Sequence, residues 1–323
     1  MCIAIVTNSH PEYPLILLSN RDEFLQRPTA VADWWEEPHS YVLGGRDMHR
    51  AERGTWLGIT KQGRIACLTN FREEGQAIIE GRRSRGAVVN SFLKTPADST
   101  ESPKDAAHKL ISEGVDGIGG FSLLFGRLHG ENNEKVQERG LAIVSNRSLQ
   151  PEDVTWILQT PNETHALSNS HFEDKSWPKV QDAERLVKQG VQEAVALKEG
   201  KSDMINRFLD ILSRDTLPRQ KVGEEFEIYL RQLRHSIFIP AIGDVNLVNR
   251  KNSDQVAAAN GTPTGVAKLN PTGGVYGTQK QSVMLVDRQG SVTFFERTLY
   301  DQLGHPIAKG DADRIFEFKI EGW

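Results

Sequence analysis

The chain has 323 residues, 38% hydrophobic and 25% charged, with a formal net charge of -4 at pH 7. That length supports one large core or two smaller ones, and the near-neutral balance excludes a strongly basic nucleic-acid binder. Only two cysteines occur, Cys2 and Cys67, so no disulfide framework is indicated and a reducing, cytoplasmic setting is expected.

Residues 2–7 and 14–19 read as two short buried strands joined by a breaker-rich turn over 8–13. Antiparallel pairing brings residue 2 close to residue 19, which puts Asn20-Arg21-Asp22-Glu23 beside the chain start. Adjacent strand residues point to opposite faces, so Arg21 and Asp22 both reach Cys2 only where the strand ends or bulges. The first apolar run has no basic lead and stops at Thr7, so a secretory signal is not expected. No apolar stretch approaches the ~18 residues that a membrane span needs.

Trp34 and Trp35 read as a cap on the core, within a loop running to Gly44-Gly45-Arg46-Asp47. Residues 54–60 and 64–70 form a hairpin across Lys61-Gln62-Gly63 and end on Asn70. Cys67, in the apolar run Ile65-Ala66-Cys67-Leu68, reads as a core thiol. Arg82, Arg83 and Arg85 read as a solvated helix start, followed by Val88, Val89, Phe92 and Leu93 at helical spacing. Ser102 is a candidate N-cap with Pro103 in the first turn of a helix reaching Ile111. Strands follow at 121–128, 141–145, 154–158 and 165–169, the last stopping on Asn169. Pro178 opens an amphipathic helix to about Lys198, and helical spacing recurs at 204–212 and 226–233. Residues 241–272, rich in Asn, Gly, Asp and Pro, read as a long mobile loop, and a hairpin spans 282–286 and 291–296. Strands in antiparallel runs with grouped helices favour an α+β fold over a doubly wound sheet. No repeat or linker divides the chain, so 1–323 reads as one domain.

The chemistry centres on Cys2. Trimming of Met1 would leave one residue carrying both a thiol and a primary amine, and that amine titrates near ~8. It can take the proton from its own thiol, directly or through water. The plainer reading makes Cys2 a small buried residue on an edge strand. No cofactor or metal is expected. The nine histidines are scattered without zinc spacing, no c-type haem attachment motif occurs, and Gly117-Ile118-Gly119-Gly120 lacks the Lys-Ser/Thr of a phosphate loop.

Several short words carry a family resemblance: Met1-Cys2, Ser19-Asn20-Arg21-Asp22-Glu23-Phe24, Gly44-Gly45-Arg46-Asp47, Gly54-Thr55-Trp56-Leu57-Gly58-Ile59, Leu68-Thr69-Asn70, Leu167-Ser168-Asn169-Ser170, Trp177-Pro178-Lys179-Val180 and Tyr276-Gly277-Thr278. Together they resemble the Asn-Arg-Asp-Glu, or transport and Golgi organisation 2, family. That family is similar to N-terminal-nucleophile hydrolases of the choloylglycine hydrolase and penicillin V acylase type, which implies a four-layer αββα sandwich.

The resemblance implies Cys2 as nucleophile, Asp22 as the carboxylate holding the amine, Arg21 as the guanidinium near the thiol and Asn169 as an oxyanion donor. An oxyanion donor is worth about 3–4 kcal/mol. Asn20, Glu23, Asn70 and Lys280 are implied on the substrate side. Two departures stand out. The bile-salt hydrolases place the Arg three residues before the Asp, whereas here the two are adjacent. Relatives carry an arginine after Tyr-Gly-Thr, where this chain has Gln279 and Lys280, and a lysine lacks the planar two-pronged hydrogen bonding.

Two functions are implied. One is a cysteine amidase or acyl hydrolase acting on an amide or acyl-thioester. The other is binding and trafficking, without turnover, of a lipid, acyl-CoA or haem, in Golgi organisation, secretion or mitochondrial metabolism, with the protein peripheral to Golgi or mitochondria.

Overall fold

The computed structural model describes residues 2–70, 84–115, 118–130, 140–174, 176–219, 229–243, 274–301 and 303–323. Its strands are β1 (Ile3–Thr7), β2 (Leu15–Phe24), β3 (Thr29–Trp34), β4 (Val42–Asp47), β5 (Leu57–Thr60), β6 (Arg64–Asn70), β7 (Phe121–Arg127), β8 (Leu141–Ser145), β9 (Thr155–Ile157), β10 (Thr164–Leu167), β11 (Tyr276–Val286), β12 (Ser291–Thr298) and β13 (Asp313–Lys319). The helices are α1 (Arg85–Leu93), α2 (Pro103–Ser112), α3 (Pro178–Leu197) and α4 (Lys201–Leu212). One antiparallel sheet runs β10-β1-β2-β11-β12-β13, and the other runs β3-β4-β5-β6-β7-β8-β9.

Three apolar layers join these elements into an αββα sandwich. Ala4, Val6, Leu15, Leu17, Met284 and Val286 of the first sheet meet Leu57, Ile59, Ile65 and Cys67 of the second. The alternate residues Ile3, Ile5, Ile16, Leu18, Val283 and Leu285 pack on α3 and α4. On the far side Ala66, Leu68, Leu123 and Phe125 pack on α1 and α2. A strand buried on both faces has no polar side to show, so β1 and β2 read in the sequence as unbroken apolar runs.

The helix starts are local chemistry. Ser102 Oγ accepts from the Asp105 amide at 3.1 Å while the Asp105 carboxylate accepts from the Ser102 amide at 3.1 Å, a capping box ahead of α2. Pro178 opens α3 with its φ already set for a helix.

Three strands escape sequence reading. β4 contains Gly44 and Gly45, a turn signal, yet a Cβ on Gly44 would lie 2.5 Å from the Leu57 carbonyl oxygen. The pair permits close strand approach rather than a turn. β3 ends on Trp34, and Trp35 follows it. Trp35 is buried with its indole donating to the Gly44 carbonyl at 2.9 Å, and Trp34 packs edge-on against Phe318. β13 is dense in charge, with Phe316 and Phe318 turned to the inter-sheet core, and such charge protects an exposed sheet edge. Of the helical spacing expected at 226–233, the described part forms a 3-10 turn over Leu230–His235, and residues 226–228 lie outside the described residues. Of the loop expected over 241–272, residues 241–243 are described, with Ile242 bridged to Tyr276; the remainder lies outside the described residues, as do Arg82 and Arg83.

The β1–β10 edge is clamped by Glu163. Its backbone oxygen accepts from Thr7 Oγ1 at 2.9 Å, and its carboxylate accepts from the Leu158 and Thr160 amides and bonds His165 at 2.8 Å. Burial alone would raise this carboxyl, but hydrogen bonds from His165 and Thr160 outweigh it and pull it from 4.5 to about 2. The folded value lies below the unfolded one, so this stabilisation is full above about pH 5 and is lost as pH falls toward about 2. Glu163→Gln is therefore expected to lower the urea midpoint at neutral pH, with the deficit narrowing on acidification. A deficit that stays constant from pH 7 to pH 3 would refute the clamp.

Candidate functional site

β1 lies between β2 and β10, with Ile3 opposite Asn20 and Ala4 opposite Leu167. One step further along the first ladder and two along the second, Cys2 falls between Arg21 and Asn169. Its Sγ donates to the Asp22 carbonyl at 3.6 Å, and its own carbonyl accepts from Ser168 Oγ at 2.7 Å. The residue is buried. Burial pushes the thiol above its ordinary value; the amino-terminal charge pulls it down and the Asp22 carboxylate pushes it up, with a smaller downward pull from Arg21.

Arg21 and Asp22 stay on opposite faces of β2, and the partner strand follows that alternation through a bulge. β11 pairs Thr278 with Asp22 and Lys280 with Arg21, so Gln279 is an extra residue. Without the bulge, Thr278 and Lys280 would share a face. With it, Thr278 turns to the helix side, where its Oγ1 donates to Asp22 Oδ1 at 2.7 Å. Tyr276 donates its phenol proton to the Asp22 carbonyl at 3.2 Å. Lys179, in the first turn of α3, is fully buried on this same side. Its burial lowers the ammonium's pKa, opposed by the charges of Asp22 and Cys2. A buried cation at a helix N-terminus is disfavoured twice, by desolvation and by the dipole, and Asp22 is the compensating charge.

Arg21 lies on the inter-sheet side. Its Nη1 donates to Gln279 Oε1, its guanidinium stacks 4.5 Å from the Trp56 ring centre, and its Nη2 stands 3.9 Å from Glu23 Oε2. The bulged Gln279 thus grips the arginine from the strand alongside, while its amide donates to the Leu25 carbonyl at 3.1 Å.

Asn169 closes the third side. Its Nδ2 donates to the Asn70 carbonyl at 2.6 Å, and its Oδ1 accepts from Ser168 Oγ at 3.3 Å. Thr69 Oγ1 donates to the Ser168 carbonyl at 2.7 Å, so the ends of β6 and β10 are laced together across the two sheets. One amide hydrogen of Asn169 is thereby used. Asn70 meets this cluster through its backbone carbonyl.

The model of the family described as Transport and Golgi organisation 2 matches residues 1–301. The chain belongs to this family. The human transport and Golgi organization protein 2 homolog is 31% identical, over 96% of this chain and 94% of its own length. The mouse transport and Golgi organization 2 homolog is 30% identical, over 90% and 88%. Among solved structures, the Caenorhabditis elegans N-acylethanolamine-hydrolyzing acid amidase ortholog matches with a TM-score of 0.41 at 14% identity, over 68% of this chain and 88% of its own. A mutant conjugated bile acid hydrolase from Clostridium perfringens matches with a TM-score of 0.36 at 11% identity, over 100% and 98%.

In this member of the transport and Golgi organisation 2 family, the Asn-Arg-Asp-Glu word is split between the two faces of β2. Arg21 and Glu23 take the inter-sheet side, Asn20 and Asp22 the helix side. Asn20, expected at the substrate, instead donates its amide to the carbonyls of Leu212 at 2.8 Å and Ile237 at 2.9 Å. It anchors the end of α4. Lys280 is likewise committed elsewhere, its buried ammonium bonded to Glu296 Oε1 at 3.0 Å and Thr298 Oγ1 at 3.1 Å. Asn20→Ala is expected to cost about 2–3 kcal/mol, because two buried carbonyls lose their donor, while Cys2 reactivity in the folded fraction stays unchanged. Loss of Cys2 reactivity with unaltered stability would instead return Asn20 to the substrate.

Sequence reading assigned no role to Lys179, Thr278, Gln279 or Ser168. Lys179 and Thr278 sit in resemblance words, Trp177-Pro178-Lys179-Val180 and Tyr276-Gly277-Thr278. A lysine opening an amphipathic helix reads as solvated, however, and a one-residue bulge leaves no mark on a β-branched strand. The usable signal was position: Lys179 precedes Val180 and stands four before Ala183, on the buried side of α3.

Proposed function

We propose that the chain is a cysteine amidase or acyl-thioester hydrolase whose nucleophile is Cys2 after removal of Met1. The observation that carries this reading is the placement of Cys2 at the end of β1, between Arg21 and Asn169 and against the Asp22 carbonyl. The freed Cys2 amine accepts the thiol proton, and Asp22 holds the resulting ammonium. The thiolate attacks the acyl carbon, and the negative oxygen is met by the second amide hydrogen of Asn169. The ammonium returns its proton to the departing amine or thiol, and water then releases the acyl group by the same route reversed. Arg21 lowers the cost of the thiolate, while Glu23 and the Asn70 end of β6 border the substrate side. The shared inter-sheet core supports one domain over 1–323.

A second reading is supported by the state of the thiol. With Met1 attached, burial holds the thiol protonated and Cys2 has no amine of its own. In that form the Cys2 site would bind an acyl or lipid ligand without turnover, as suits a trafficking role near Golgi or mitochondria. Intact mass after incubation with an acyl-thioester separates the two. The hydrolase reading expects loss of Met1 and a transient acyl adduct on Cys2 that Cys2→Ala abolishes. Quantitative retention of Met1 with saturable, adduct-free binding would overturn it.

A further inference from the structure

We infer that the outer edge of β13 is the interface of a symmetric dimer, in which β13 of a second copy adds antiparallel to it. The six-stranded sheet then continues through both chains. β13 is the last strand of its sheet, paired with β12. The Thr298 amide donates to the Ala312 carbonyl at 3.4 Å, and the Ile320 amide donates to the Gly290 carbonyl at 2.9 Å. The even-numbered residues of β13 therefore bond β12, and Ile315, Glu317 and Lys319 turn their N–H and C=O groups outward. Among the described residues no group bonds those outward N–H and C=O groups. Ile315 is also 58% exposed, on the helix side of the sheet. An edge row of this kind is a template for a further strand.

The side chains select the occupant. A two-fold axis makes the edge meet itself, and the charges favour one register. With the axis at Phe316, Ile315 faces the partner's Glu317 and Asp313 faces the partner's Lys319, so opposite charges meet on both sides of the axis. Ile315 and the partner's Glu317 exchange their outward bonds, while Phe316 meets the partner's Phe316 at the closer non-hydrogen-bonded spacing. Arg297 holds the Asp313 carboxylate at 2.6 and 2.8 Å, and Lys201 holds that of Glu317 at 2.5 Å, so both acids keep to the helix side. Sliding by two residues keeps each side chain on its face. It sets Glu317 against the partner's Asp313 in one direction and against the partner's Glu317 in the other. Like charges directly opposite are destabilising. A longer slide toward the C-terminus meets Glu321, whose amide already donates to the Lys61 carbonyl at 2.8 Å. The charges that deter arbitrary pairing of this edge thus admit a second copy in one register.

One strand from each copy makes a small interface, so the dimer is expected to dissociate in the micromolar range. Sedimentation equilibrium from about 1 to about 200 μM should show the mass rising from monomer toward dimer. Over the same range, hydrogen exchange at the Ile315, Glu317 and Lys319 amides should slow as the dimer forms. Ile315→Pro removes one outward N–H and leaves the bonds to β12 in place. Lys319→Glu sets two acids across the seam. Each should weaken association about tenfold or more, with the thermal midpoint little changed. Lys319 is exposed, so Lys319→Glu decides the matter even where Ile315→Pro does not fold. A chain that stays monomeric over the whole range overturns the proposal and leaves the edge to a strand of another protein or to solvent. A dimer that Lys319→Glu leaves intact, or whose exchange at 313–319 does not change with concentration, is built elsewhere and overturns it too.

Discussion

Exposing the amine of Cys2 is expected to raise its iodoacetamide labelling at neutral pH by about 100-fold or more over a form extended at the N-terminus. The thiolate is the reactive species. In the extended chain burial pushes the Cys2 thiol upward, and no amine lies on the residue itself to take its proton. A chain made with a cleavable N-terminal tag, whose removal leaves Cys2 first, provides both states of one protein. Cys67 is the internal standard. Burial among the inter-sheet residues, only partly offset by a hydrogen bond with Ser19, pushes it up to about 12, so it should remain unlabelled in both states. The freed form should also reach its maximal rate at lower pH, because the amine titrates near ~8 and retains the proton it accepts. Equal rates before and after cleavage would remove the amine from the mechanism.

The legible and illegible parts of this site divide along a physical line. Residues 2–7 and 15–19 announce themselves by unbroken apolarity, and the Pro178 start and capped α2 by local chemistry. That is enough to place Cys2 beside Asn20-Arg21-Asp22-Glu23. The αββα layering came from resemblance, because a strand apolar on both faces does not say which face meets a sheet and which a helix. The internal partners of Asn20 and Lys280 were illegible for a related reason. A polar residue inside a strand is equally suited to a ligand and to a buried partner supplied from far along the chain. Only the fold brings Leu212 and Ile237 to Asn20, or Glu296 to Lys280. Gln279 shows the reverse: read as the loss of an arginine, it occupies a bulge that grips Arg21 from the neighbouring strand.

Asp22→Asn is expected to act twice, and a second substitution separates the two effects. Asn keeps the shape and can still accept from Thr278, but it removes the charge that compensates the buried Lys179. Removing a charge that offsets a buried cation is destabilising, so a fall in the urea midpoint is expected. Cys2 labelling should fall as well, toward the rate of the extended chain, because the ammonium formed when the amine takes the thiol proton loses its anchor. Adding Lys179→Met replaces the stranded cation with an apolar side chain of similar length, and such swaps are often well tolerated. The double variant should recover most of the lost stability, giving a coupling well beyond additivity, yet its Cys2 labelling should stay slow. Recovery of both would mean that Asp22 serves only to accommodate Lys179. Recovery of neither would mean that Lys179 does not depend on that carboxylate. Stability restored with reactivity still lost is the outcome in which Asp22 both carries the buried lysine and holds the amine of the nucleophile.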